Sequence, residues 1–159
     1  MDLTLNLELD GTAHDDVVLV FGGVSYRCDS YYFALDQCVD PDREDDVKVR
    51  AVVRRLLEQW RQAVASLEPG EFTYLPYDFS DQCTAWLRCH RISGTKRLAI
   101  VHGWSSLEGW SIVPSELGDA MKSVQGFQAD TSALSAEVDD VLEAIDGSLF
   151  RLGRDGEGK

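Results

Sequence analysis

The feature that most constrains the fold is a row of apolar residues that recurs at helical spacing between positions 41 and 67. Because residues three and four positions apart share one face of an α-helix, this row predicts one long amphipathic helix. Asp40 lies where an N-cap is expected, Pro41 lies at the first helical position, and residues 68–70 (Glu-Pro-Gly) end the segment. The apolar stripe consists of Val49, Val53, Leu56, Trp60, Val64 and Leu67.

Alternating and short apolar runs on both sides of this helix predict β-strands. Residues 3–9 alternate apolar with polar side chains, and residues 17–21 and 24–28 are two further strands joined by a turn at Gly22 and Gly23. Residues 31–35 either extend this group of strands or cover it. Residues 72–113 predict an antiparallel meander that ends in a short strand at 110–113.

The strands at 83–91 and 96–104 are predicted to flank a two-residue turn at Ser93 and Gly94. That turn pairs Cys89 with Leu98, Leu87 with Ile100, and Ala85 with His102. The shared face of these residues is apolar, so we expect it to pack against the long helix, with His102 as a hydrogen-bonded core residue.

Two shorter helices are predicted at 115–124 and 131–145, and residues 151–159 are expected to be a disordered tail. The order of elements indicates a single α+β domain over residues 1–150. Its expected architecture is a mainly antiparallel sheet packed against one long amphipathic helix, with two shorter C-terminal helices.

The distribution of charge is the main functional signal. The first 46 residues contain 12 of the 28 acidic residues and only two basic ones, Arg27 and Arg43, in a chain of net charge −13. Such an imbalance adds nothing to fold stability, since like charges repel in the compact state. It favours a basic protein partner, and it disfavours nucleic acid because phosphates would be repelled.

Further patterns bear on location and cofactors. The acidic, alternating start of the chain does not resemble a signal peptide, and no apolar run approaches the length of a membrane span. We therefore expect a cytoplasmic protein without a membrane partner, whose cysteines (Cys28, Cys38, Cys83 and Cys89) are reduced. We expect no cofactor and no metal. Residues 40–46 resemble the start of a calcium loop, but Asp45 stands where glycine is needed and Ala51 where glutamate is needed.

Two segments are candidates for the partner-binding surface. The first is the acidic run, of which Asp42, Glu44, Asp45 and Asp46 are the predicted contact residues; the alternative is that these carboxylates only cap the helix. The second contains Gly-Trp-Ser twice, and its predicted contact residues are Trp104, Glu108 and Trp110. The alternative is that both tryptophans belong to the hydrophobic core.

These features favour an acidic inhibitory or neutralising domain, such as a bacterial immunity protein that blocks a basic toxin or nuclease. We assign no catalytic residue and consider an enzyme the less favoured class. The enzyme alternative is a pocket near Asp78, Asp81, Cys83 and His102, where a carboxylate, a thiol and an imidazole would have to converge. A third hypothesis is a regulatory domain that self-associates, for example as a homodimer, through Trp104 and Trp110.

Overall fold

The computed structural model describes residues 1–157, with side chains through Arg154, and within this part the chain forms two antiparallel sheets and three α-helices. The first sheet has the order β1 (Leu3–Leu7), β2 (Val17–Phe21) and β3 (Val24–Cys28). The helices are α1 (Tyr31–Ala34), α2 (Asp46–Ala65) and α3 (Val138–Glu157). The predicted α+β class is thus confirmed, with two sheets and two long helices where we expected one of each.

The second sheet lies in the middle of the chain. Its order is β4 (Phe72–Phe79), β5 (Thr84–Arg91), β6 (Arg97–Ser105) and β7 (Gln128–Ala129), and β8 (Leu134–Glu137) also pairs with β6. Two 3₁₀ helices, Gly109–Ser111 and Gly118–Met121, lie between β6 and β7.

The predicted apolar stripe of α2 is the centre of the core. All six of its residues are buried, and each such burial contributes about 1.5–3 kcal/mol to folding. The indole nitrogen of Trp60 donates a hydrogen bond of 3.1 Å to the carbonyl oxygen of Pro76, which joins α2 to β4. Helix α3 packs against both α2 and β1, and the amide of Leu5 donates to Ser148 Oγ at 3.1 Å.

The start of α2 differs from the prediction. The N-cap is Asp45, whose side chain accepts a hydrogen bond of 3.2 Å from the amide of Lys48. Asp40 has φ of 38°, a left-handed conformation that cannot open a helix, and Pro41 lies outside the helix. An aspartate further along the acidic run therefore takes the capping role that we assigned to Asp40.

The register of the β5–β6 hairpin also differs. Cys89 pairs with Ile100, Leu87 with His102, and Ala85 with Trp104, each two residues from the predicted partner. The connection between the strands spans residues 92–96, which is longer than the predicted two-residue turn. Because strands have a period of two, the shift leaves every side chain on its predicted face, and His102 is buried as expected.

Several local predictions after β6 and before α2 are wrong. The predicted strand at 110–113 is replaced by a 3₁₀ helix, and residues 31–34, for which extension of the strands was one of two alternatives, form helix α1. The helix predicted over 115–124 is reduced to the 3₁₀ turn at Gly118–Met121. The last helix begins at Val138, after β8, and continues to Glu157, where we expected a disordered tail; residues 158 and 159 lie outside the described part.

Candidate functional site

In the acidic run, one carboxylate has a structural role at the start of α2 and others are exposed to solvent. The Arg43 guanidinium lies 2.6 Å from the Asp45 carboxylate, and this hydrogen bond, together with the cap of α2, lowers the pKa of Asp45 below its usual range. Asp42 and Glu44 are exposed, while Asp46 is half-buried in the first turn of α2. Capping therefore accounts for Asp45, and Asp42 and Glu44 present their charge to solvent.

The two tryptophans of the repeated Gly-Trp-Ser sequence are on the surface. Trp104 is 42% exposed at the end of β6, and Trp110 is 63% exposed in the first 3₁₀ helix, whereas Trp60 and Trp86 are buried. The alternative that Trp104 and Trp110 belong to the core is therefore wrong. Glu108 lies two residues before Trp110 and is exposed. Its backbone carbonyl oxygen accepts hydrogen bonds from the amide and the hydroxyl of Ser111.

Close backbone contacts hold the Trp110 segment against the end of β4. The Gly109 amide donates a hydrogen bond of 2.7 Å to the carbonyl oxygen of Ser80, and the Thr84 hydroxyl donates to the carbonyl of Leu107 at 2.8 Å. A Cβ atom at Gly109 would lie 2.6 Å from backbone atoms of Phe79 and Ser80. Only glycine permits this approach, so the residue that carries the exposed indole follows directly on a backbone segment packed against the end of β4.

A concave pocket of about 450 Å³ adjoins the same end of β4. It is formed by the loop before β2, the start of α1 and the turn after β4. We call it the acidic–aromatic pocket, and its lining consists of His14, Asp29, Tyr31, Tyr32, Phe79, Ser80 and Asp81. Phe79 is buried and packs edge to face with Phe33 of α1 at 5.4 Å, which ties the pocket to the core.

Hydrogen bonds orient both carboxylates of the pocket. Asp29 accepts from the amide of Asp15 at 2.8 Å and lies 3.3 Å from His14 Nδ1. Asp81 accepts a short hydrogen bond from the hydroxyl of Tyr32, and this bond raises the pKa of Tyr32 to about 12. Like an ordinary tyrosine, Tyr32 keeps its phenolic proton at physiological pH and can donate it to Asp81.

Of the residues that line this pocket, only Asp81 was predicted at a functional site, as part of the enzyme alternative. For Tyr31 and Tyr32 two outcomes were open, a continuation of the strands or a segment that covers them, and strand alternation would point the two rings to opposite faces. In α1 the rings instead meet edge to face at 5.2 Å, and Tyr31 is 49% exposed. The available signal was the sequence Ser30-Tyr31-Tyr32, because serine favours the position just before a helix.

His102 belongs to a buried hydrogen-bond chain that the sequence did not reveal. Its Nδ1 lies 2.7 Å from the Asp130 carboxylate, and its Nε2 lies 2.6 Å from the Tyr77 hydroxyl. Since a carboxylate only accepts, Nδ1 donates to Asp130, and in the neutral imidazole Nε2 then accepts from the Tyr77 hydroxyl. The Tyr26 ring stacks on the imidazole at 4.0 Å, and only 4% of His102 is exposed. The chain satisfies buried polar groups and gives no substrate access to the imidazole.

The four residues of the enzyme alternative are not brought into one site. Asp81 lies in the acidic–aromatic pocket, His102 bonds to Tyr77 and Asp130, and Asp78 accepts from the Ser80 hydroxyl at 2.7 Å. Burial and the charge of Asp78 raise the pKa of Cys83, which disfavours the thiolate that a nucleophile requires. All four cysteines are free thiols.

A wider groove of about 630 Å³ lies at the other end of β4. It runs between the C-terminal half of α2, the start of β4 and the second 3₁₀ helix, and its apolar lining includes Leu67, Phe72 and Met121. Its lining contains one acidic and one basic residue, Glu71 and Lys122, and the Lys122 ammonium lies 3.3 Å from the Asp119 carboxylate.

Among residues 1–157, no group of three or more histidine, cysteine, aspartate or glutamate side chains is placed to hold a metal ion. None of the helices in this part of the chain is long and apolar enough to cross a membrane.

Comparison of the chain with protein-family models, with curated proteins and with solved structures gives no match.

Proposed function

We propose that this chain is an acidic binding domain that neutralises a basic protein partner, in the manner of an immunity protein that blocks a toxin or nuclease. The observation that carries the proposal is that the exposed Trp110 directly follows Gly109, whose backbone contacts Phe79 and Ser80 of the acidic–aromatic pocket. The bond of 2.7 Å between Gly109 and Ser80 fixes the backbone that carries this indole, which is 63% exposed.

Large aromatic side chains supply most of the binding energy at many interfaces, because they bury much area and lose little conformational freedom. Such anchors are most effective on rigid elements. Gly109 is packed against the backbone of β4, and the adjoining loop is fixed by the bond from Thr84 to Leu107. The Trp110 anchor is therefore presented without a large ordering cost on binding.

The charge around this anchor supports a basic partner. Asp29 and Asp81 line the pocket, its described lining contains neither lysine nor arginine, and the exposed Glu108 lies two residues before Trp110 along the chain. Asp42 and Glu44, exposed before α2, add to the negative field of a chain with net charge −13. Such a field accelerates association with a cationic surface and opposes association with an anionic one.

The test is capture of a partner from a lysate of the source organism by the immobilised chain, followed by an activity assay of the captured protein. We expect a basic protein that is retained better at an ionic strength of about 0.01 M than at about 0.15 M. Addition of the chain in equimolar amount is expected to abolish the activity of this protein. Trp110→Ala is expected to weaken binding by about 2 kcal/mol or more.

The matched control is Phe150→Ala, which removes an aromatic ring that is 69% exposed on α3. The control is expected to bind as the unchanged chain does. Equal loss in both variants, or a captured protein whose activity the chain leaves unaltered, would contradict the proposal. A mass that rises with concentration and falls to that of a monomer in Trp110→Ala would favour the self-association hypothesis instead.

A further inference from the structure

We infer that the acidic–aromatic pocket is the subsite that receives one arginine side chain of the basic partner. This inference deepens the proposed function and rests on it. The occupant follows from the charge and shape of the pocket, which combines two oriented carboxylates with an exposed aromatic ring inside a volume of about 450 Å³.

The carboxylates can accept further hydrogen bonds in their observed positions. In Asp81 the recorded bond from Tyr32 uses Oδ1, and a carboxylate offers about four lone-pair sites in total. In Asp29 the amide of Asp15 uses Oδ1 and His14 Nδ1 lies 3.3 Å from Oδ2, which leaves further lone-pair sites on a side chain that is 47% exposed. Both groups are thus oriented by the protein while they keep acceptor sites for an incoming cation.

The aromatic part of the lining favours arginine over lysine. Tyr31 lines the pocket and is 49% exposed, and its ring contacts Tyr32 edge to face at 5.2 Å. A planar guanidinium can stack on this ring and donate in its own plane to a carboxylate at the same time. An ammonium group is more strongly hydrated and lacks a planar face, so it cannot make both contacts equally well.

The pocket and the Trp110 segment are attached to the same turn. The turn that carries Ser80 and Asp81 is the turn to which Gly109 is bonded, so Trp110 and the pocket share one structural support. Energetically important contacts cluster at the centre of interfaces, where surrounding residues exclude water. An arginine inserted beside a docked Trp110 would be shielded from solvent, which strengthens its interaction with Asp81.

The inference is tested on the full chain with three small probes, N-acetyl-arginine amide, N-acetyl-lysine amide and N-acetyl-citrulline amide. Citrulline has nearly the shape of arginine without its charge. Binding is followed by the NMR shifts of the backbone amides. We expect saturable shifts at Tyr31, Tyr32 and Asp81 for the arginine probe, with a dissociation constant on the order of 1 mM. The lysine probe is expected to bind about two- to fivefold more weakly, and the citrulline probe not to saturate.

Two variants separate the contributions of charge and ring. Asp81→Asn removes the charge but keeps an oxygen that can accept from Tyr32, and Tyr31→Ala removes the ring. The matched control is Asp119→Asn, which makes the same charge change at a 94% exposed side chain outside the pocket. We expect Asp81→Asn to abolish saturation by the arginine probe, Tyr31→Ala to weaken it about two- to fivefold, and Asp119→Asn to leave it unaltered.

Equal binding of the arginine and citrulline probes, or equal binding to Asp81→Asn and to the unchanged chain, would overturn the inference. These outcomes leave the proposed function intact, since capture through Trp110 is a separate measurement. Conversely, a chain that binds the arginine probe but captures no basic protein would refute the proposed function while the arginine site stands.

Discussion

The amide nitrogen of Gly109 lies 2.7 Å from the carbonyl oxygen of Ser80, and this hydrogen bond joins the exposed Trp110 to the turn that carries Asp81. Gly109 and Ser80 are 29 positions apart along the chain. Their contact brings an aromatic anchor and a carboxylate-lined pocket, which come from separate loops, onto one surface.

Gly109→Ala is expected to lower the free energy of unfolding by about 1–3 kcal/mol, because a Cβ atom would lie 2.6 Å from backbone atoms of Phe79 and Ser80. Urea denaturation measures this effect. Gly147→Ala is the control, because a Cβ atom there would meet only the Arg151 guanidinium, at 3.5 Å. Since glycine disfavours helix, Gly147→Ala is expected to raise the free energy of unfolding by about 0.5–1 kcal/mol. A Gly109→Ala protein as stable as the unchanged chain would contradict the close approach.

Asp45→Ala is expected to cost about 0.5–2 kcal/mol of stability, because the amide of Lys48 loses its capping partner. Asp42→Ala changes an exposed side chain of the same run and is expected to cost less than about 0.5 kcal/mol. The bond from Arg43 lowers the pKa of Asp45, so the ionised carboxylate stabilises the fold at any pH above its ordinary pKa of about 4. This stabilisation is lost as the pH falls through the lower pKa that Asp45 has in the folded state. The difference between the unchanged chain and Asp45→Ala should therefore shrink in acid. Equal stability of the two alanine variants would argue against Asp45 as the cap.

Tyr32 is expected to titrate with a pKa of about 12, because its hydroxyl donates to Asp81. In Asp81→Asn the negative charge is lost, and the pKa is expected to fall towards the ordinary tyrosine value of about 10. A group whose folded-state pKa is raised stabilises the fold below its unfolded pKa and loses this effect as pH rises through the folded value. The stabilising effect of Tyr32 should thus decline between about pH 10 and 12. The pKa is measured from tyrosinate absorbance as a function of pH, and a Tyr32→Phe variant identifies the signal of Tyr32. The same pKa in Asp81→Asn and in the unchanged chain would contradict the hydrogen bond from Tyr32 to Asp81.

Lys48→Met is expected to raise the free energy of unfolding by about 1–3 kcal/mol. Lys48 is fully buried in α2, and among the described residues no acceptor lies within hydrogen-bonding distance of its Nζ. Methionine keeps much of the volume and removes the unpartnered polar group. Lys122→Met alters a side chain that is 80% exposed, and thermal or urea denaturation should show a change within about 0.5 kcal/mol. Destabilisation by Lys48→Met would mean that the ammonium group has a stabilising partner.

Much of the fold follows from local patterns. The helical spacing from Val49 to Leu67 predicted the buried face of α2, and the alternation of β5 and β6 predicted that Leu87, Cys89 and His102 face the core. These predictions succeeded because a helix and a strand each have a fixed period, so that spacing alone decides which side chains share a face. The Gly-Trp-Ser repeat likewise indicated Trp104 and Trp110 as candidate contact residues.

Other properties depend on contacts between distant residues, and for these the sequence left more than one outcome open. The cap of α2 is Asp45 because of the bond to Lys48 and the left-handed backbone of Asp40, although several aspartates nearby have the right side chain. The exposure of Trp110 became evident only in the structure, where the preceding Gly109 packs against β4. The acidic–aromatic pocket exists only in the tertiary structure, since His14, Asp29 and Asp81 come from loops that meet through folding. Periodicity is a local property, whereas concavity, exposure and the pairing of charges arise from the packing of the whole chain.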